Sequence, residues 1–158
     1  MGTYSRPAGA PLLARRIGRV NETGESARGE GSTLHERHFT VDEANALLPS
    51  VKPLLRRLRD AKDQLTDSEA HDALTEASPE NGGGEPGRQV GEAFLEVRKL
   101  LGTLEEAGLV VRDIDRGLID FPAIRGGHEV YLCWELGEDE VCHWHEIESG
   151  YRGRQQLD

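Results

Sequence analysis

Leu104-Glu105-Glu106-Ala107-Gly108-Leu109-Val110-Val111 is the stretch on which the fold class turns. Ahead of it, Val90, Phe94, Val97, Leu101 and Leu104 step by four and three, the spacing of one apolar helix face. Gly108 sits where a glycine closes a helix, at C′. After it the pattern becomes β. Leu109-Val110-Val111 brings two β-branched valines, and Asp115-Arg116-Gly117 supplies a turn into Leu118-Ile119-Asp120-Phe121. Pro122 is expected to end that strand or mark a sheet edge. Arg125-Gly126-Gly127 turns the chain into Glu129–Leu136, and Gly137–Glu140 turns it again into Val141–Ile147. That makes about four short, mainly antiparallel strands following the helices, which is an α+β arrangement.

Upstream, Thr40-Val41-Asp42-Glu43 reads as a capping box with Thr40 at N-cap. From there Ala44, Leu47, Val51, Leu54, Leu58, Ala61 and Leu65 form a heptad-like stripe, widened by Leu48 and Leu55. Pro49 and Pro53 interrupt it, and Pro49 leaves the Asn45 carbonyl without a donor. The expectation is a first helix over 41–66, kinked near Pro49, and a second over 89–107, joined by a flexible loop at about 79–88. Pro79-Glu80-Asn81-Gly82-Gly83-Gly84 is that loop; no strand precedes the glycines and no Gly-Lys-Ser/Thr follows, so it is not a phosphate loop. The two helices should form an antiparallel hairpin packed on the sheet.

Residues 1–38 mix Gly, Ser, Pro, Arg and Glu without apolar periodicity, and are expected to be a disordered tail before a single domain at 39–158. Of the 158 residues, hydrophobic types make up 36%, a share low enough to require such non-core segments. The net charge is −10, and the tail carries six arginines against four glutamates, so the domain holds the acidic excess. A surface that acidic repels phosphate backbones, which argues against nucleic acid as a partner. Arg56, Arg57, Arg59 and Lys62 form a local basic cluster on the first helix, read as a solvated flank. No apolar run reaches the roughly 18 residues of a membrane span. Pro11-Leu12-Leu13-Ala14 is too short for a secretory core. With two cysteines, the expectation is a cytoplasmic protein with reduced thiols.

Most side chains able to do chemistry fall in the last hairpin. If Leu136 pairs with Val141, then Trp134 faces His143 and Leu132 faces His145. Trp134, His143 and His145 then share one face, with Cys133, Cys142 and Trp144 on the other. A slip of one residue would recombine the faces. His143-Trp144-His145 places two imidazoles about 7 Å apart on one side of a strand, a spacing that lets both reach one metal such as zinc. The competing reading is two packed, hydrogen-bonded histidines. Gly150 and Gly153 bracket Tyr151-Arg152, a backbone path that brings Arg154 back against the domain, to bind an anion or to pair with a carboxylate.

Several blocks together resemble a known family. Phe39-Thr40-x-x-Glu43-Ala44-Asn45-x-Leu47-Leu48-Pro49, Gly117-Leu118-Ile119-Asp120-Phe121-Pro122-Ala123, Leu132-Cys133-Trp134-x-x-Gly137-Glu138 and Trp144-His145-Glu146 with Gly150-Tyr151-x-Gly153-Arg154 are similar to an uncharacterised bacterial family, domain of unknown function 2203. The resemblance spans roughly 39–157. It implies Trp144-His145 as a shared feature without requiring histidine at His143, and so favours Asp120, Trp134, Glu138, His145 and Arg154 as the common ligand-binding site.

Two functional readings follow. The preferred one is a binding or regulatory module, whose helical hairpin self-associates as a homodimer or engages a partner. Its β-hairpin holds a small anionic ligand where Trp134, His145 and Arg154 converge. The alternative is a small metal- or His-dependent enzyme using His145, with Arg154 as substrate anchor. No cofactor is expected on the first reading; zinc bound by His143 and His145 belongs to the second.

Overall fold

The computed structural model describes residues 33–75 and 85–158. Residues 1–32 of the expected tail and 76–84 of the expected loop lie outside the described residues. The compact unit is Thr33–Asp158, so it begins six residues before the expected boundary.

Helix α1 covers Val41–Thr75. Its start is the capping box: the Thr40 N–H donates to Glu43 Oε2 at 2.8 Å and the Glu43 N–H donates to Thr40 Oγ1 at 3.2 Å. A kink near Pro49 is expected; α1 runs as one continuous element through Pro49 and Pro53. Both prolines are exposed, so the carbonyls they leave without donors, at Asn45 and Pro49, lie on the solvent side of the helix. The helix buries Ala44, Leu48, Val51, Leu55 and Leu58, while Leu47 and Leu54 are only half-buried. The centre of the stripe is therefore one residue on from the expected line.

Helix α2 covers Glu85–Glu106 and starts four residues early, with Pro86 in its first turn, where a missing N–H costs nothing. It ends as the sequence implies. Gly108, at φ 87°, donates to the Glu105 carbonyl and Leu109 donates to the Leu104 carbonyl, a Schellman closure. Arg57 pairs with Glu96 across the hairpin, and Arg37, just ahead of α1, donates to the Ala107 carbonyl just past α2. The helices are antiparallel. Neither is long and apolar enough to cross a membrane.

Five strands follow: β1 Val110–Asp113, β2 Leu118–Arg125, β3 His128–Glu135, β4 His143–Glu146 and β5 Gln155–Gln156. They form an antiparallel sheet in sequence order, one strand more than expected. Strand β2 continues through Pro122 because β1 pairs no further than Asp120. Beyond that point this side of β2 is an edge, where the Pro122 carbonyl accepts the Phe39 N–H at 2.7 Å. Gly126 and Gly127, at φ 60° and 83°, make the two-residue turn between β2 and β3, with Arg125 opposite His128.

The hairpin register differs from the expected one by a single residue. Cys133 pairs with His143 and Tyr131 with His145. Val141 does not pair with Leu136; its N–H donates to Asn45 Oδ1 of α1 at 2.7 Å, and its side chain is buried. This contact lengthens the loop and slides β4. The helix-side face of the sheet holds Ile119, Phe121, Ala123, Val130, Leu132 and Trp134, all buried. Phe39 packs edge-on to Phe121, and Lys52 lies 5.5 Å over the Trp134 ring. Trp134 and His145 therefore lie on opposite faces, against the expected convergence.

Candidate functional site

The register places Asp120 of β2 opposite Cys133 of β3, with His145 of β4 two pairings along and so diagonal to Cys133, on the face away from the helices. Three adjacent strands thus supply three chemically different side chains to one point. All are almost fully buried, at 1%, 0% and 2% exposure respectively. Their carboxylate oxygen, thiol sulfur and imidazole nitrogen all lie within 4.8 Å of one another.

The fourth member is Arg112. It falls at the irregularity in β1, where Val111 pairs with Ile119 but Asp113 pairs with Leu118. A bulge redirects a side chain, and here Arg112 Nε donates to Asp120 Oδ2 at 2.7 Å. Its guanidinium also lies 4.7 Å over the Tyr131 ring. Burial works against the Arg112 charge, but the Asp120 carboxylate outweighs it and holds the guanidinium above its ordinary value.

Hydrogen-bond chemistry fixes the state of His145. Its Nδ1 lies 2.8 Å from the Glu146 carbonyl oxygen, which can only accept, so Nδ1 carries hydrogen. Its Nε2 lies 3.2 Å from Asp120 Oδ1. That contact joins the imidazole directly to the carboxylate that Arg112 holds. Burial, aided by Asp120 and opposed by Arg154, pushes the Cys133 thiol up to about 12. It is a neutral, unreactive thiol at neutral pH.

A cavity of about 220 Å³ adjoins this cluster, lined by Arg112, Asp120, Cys133 and His145 and by residues of the following segment that include Glu148, Ser149 and Tyr151. Its cover is the segment after β4, which turns at Gly150, φ 59°, into a short 3-10 helix at Tyr151–Gly153. That turn returns Arg154 to the domain. There its Nη2 donates to Glu138 Oε1 and Oε2 at 2.8 and 2.7 Å, and to the Cys133 carbonyl at 3.2 Å.

The expected site residues thus fall into three places. Asp120 and His145 meet. Glu138 and Arg154 meet each other. Trp134 lies in the core on the other face, where its Nε1 donates to the Glu138 carbonyl at 3.1 Å. His143 shares the face of His145, but its Nδ1 stands 3.4 Å from Glu138 Oε1, at ion-pair distance without hydrogen-bond geometry. The compact three-donor group among the described residues is Asp120, Cys133 and His145, without His143. Sequence reasoning missed Cys133 and Arg112. The alternative hairpin register held the signal for Cys133, whereas nothing in the sequence marks the bulge that turns Arg112 inward.

No curated protein and no solved structure matches the chain significantly. A family model described as an uncharacterized conserved protein does match, over residues 37–157, which takes in both helices, every strand and all four members of the cluster. The chain belongs to the DUF2203 family.

Proposed function

We propose that the domain is a binding module that holds a small anionic ligand, a carboxylate or phosphate, in the cavity over Arg112, Asp120, Cys133 and His145. The observation that carries this reading is the Arg112 guanidinium on the cavity lining. Arg112 contributes the positive charge, with Asp120 paired to its Nε and Glu148 on the same lining, while Cys133 stays neutral. In a partly enclosed site, a planar guanidinium is the side chain best suited to hold a carboxylate or phosphate through paired N–H donors. Arg112 has 41% of its side chain exposed, which leaves it able to meet a ligand from the cavity.

A module is favoured over the His-dependent enzyme because both ring nitrogens of His145 are engaged and the Cys133 thiol is held protonated. Neither is poised as base or nucleophile. The same reading places the protein in a reducing cytoplasm, in keeping with the free thiols of Cys133 and Cys142, and as a homodimer through α2.

Thermal unfolding in inorganic phosphate or succinate, against chloride at equal ionic strength, tests the ligand. A ligand at about 100 times its Kd adds about 2.7 kcal/mol, so Tm should rise by several degrees. Arg112→Gln should abolish the rise. No rise in the wild type, or an equal rise in the variant, refutes the reading.

A further inference from the structure

We propose that Asp120, Cys133 and His145 form a binding site for a zinc-class divalent transition metal ion. This goes beyond anion binding and does not depend on it. The donors come from cross-strand neighbours on β2, β3 and β4, so the sheet ladder, and not a loop, fixes their spacing. A tetrahedral ion with bonds of about 2.0–2.3 Å holds its donors roughly 3.3–3.7 Å apart. The 3.2 Å between His145 Nε2 and Asp120 Oδ1 already matches, and side-chain rotation from within the 4.8 Å limit brings in the sulfur.

Two further observations point to a metal. A metal-bound imidazole characteristically donates its other N–H to a carbonyl or carboxylate, which fixes ring and tautomer. His145 does this through Nδ1 to the Glu146 carbonyl, leaving Nε2 directed at the cluster. The carboxylate is oriented in the same way, since Arg112 holds Asp120 Oδ2 and leaves Oδ1 facing Nε2. Both ligands therefore have outer partners already in place. A fourth coordination position would face the 220 Å³ cavity, open to water or to an anion.

The donor set selects the ion. One sulfur, one nitrogen and one oxygen suit borderline Zn²⁺ and Co²⁺, whereas Ca²⁺ and Mg²⁺ demand oxygen throughout. The exchange balances. Bonds form from sulfur, Nε2 and Oδ1 to the ion; the thiol proton, with any proton on Nε2, leaves to solvent. The ion brings two positive charges against the protons it displaces, so the site loses no positive charge on binding.

Titration of the chelator-treated full chain with Co²⁺ tests this. The expected result is one equivalent bound, with a thiolate-to-cobalt charge-transfer absorption, displacement by Zn²⁺, and release of at least the thiol proton. Cys133→Ser should abolish the absorption and weaken Zn²⁺ binding by at least about 100-fold, since a direct ligand should cost no less than an outer partner. Cys142→Ser, at a half-buried position outside the cluster, and His143→Gln should both retain the absorption, and they settle the matter even if Cys133→Ser fails to fold. No stoichiometric binding, no thiolate absorption, or its loss on replacing Cys142 or His143 overturns the proposal.

Discussion

Arg154 concentrates three bonds on one guanidinium nitrogen, while its Nε is buried without a partner. Two elements depend on it. Glu138, in the loop between β3 and β4, accepts from Arg154 and from the Glu135 N–H at 2.9 Å, and its carbonyl accepts from Trp134. Burial works against the Arg154 charge, but Glu138 outweighs it and holds the guanidinium above its ordinary value. The residue thus clasps the C-terminal segment to the hairpin loop, in place of standing free as a ligand anchor. Arg154→Gln should lower unfolding stability by about 1–3 kcal/mol in chemical denaturation, the cost of leaving buried partners unpaired. It should leave the phosphate-induced rise in Tm intact. Unchanged stability with the rise abolished would return Arg154 to the ligand site.

At the scale of the element, what the sequence reveals depends on how local the determinant is. The capping box at Thr40 and the glycine closure at Gly108 are legible because each lies within a few residues of its partners. The hairpin register is not, because Asn45 decides it from 96 residues away by taking the Val141 N–H. A slip of one residue reverses every side chain of β4 relative to β3, and so decides whether His145 meets Trp134 or Cys133. The segment 33–38, expected within a disordered tail, is likewise a long-range matter. Leu34 and His35 donate their N–H groups to Glu129 at 2.7 and 3.0 Å, His38 Nε2 lies 2.8 Å from the same carboxylate, and His35 Nε2 lies 2.6 Å from the Tyr131 hydroxyl. Burial pushes the Glu129 carboxyl up, but these bonds outweigh it and hold it below its ordinary value. The sign follows. A carboxyl depressed in the fold stabilises it fully above the unfolded value of about 4.3 and ceases to do so as pH falls through the folded value. Hydrogen exchange should show the Leu34 and His35 amides losing protection on acidification before the core strands do. In Glu129→Gln the same amides should be weakly protected at neutral pH already. Equal protection in variant and wild type would show that the carboxylate does not hold the segment.

For the whole molecule, the α+β class and the order of helices before strands are legible because periodicity reports which face of each element is buried. Periodicity does not report how a helix is turned about its own axis once a partner with its own side chains meets it. In α2 the expected stripe ran through Phe94, yet the structure buries Ala93, Leu100 and Leu104 and leaves Phe94 52% and Leu95 64% exposed. The small Ala93 faces inward and two large apolar neighbours face out. Beside them the Arg57–Glu96 pair and the exposed Arg98 and Lys99 give a charged surround, an apolar patch with a polar rim. Such a patch on a helix can meet its own copy across a two-fold axis, since an isologous interface asks only that one surface complement itself. Sedimentation equilibrium of the full chain at tens of micromolar should therefore give twice the chain mass. Replacing both Phe94 and Leu95 by Glu should give a monomer, with little loss of unfolding stability, because neither side chain is in the domain's core. A wild-type chain that stays monomeric at high micromolar concentration refutes the dimer. A double variant that stays dimeric moves the interface off this face of α2.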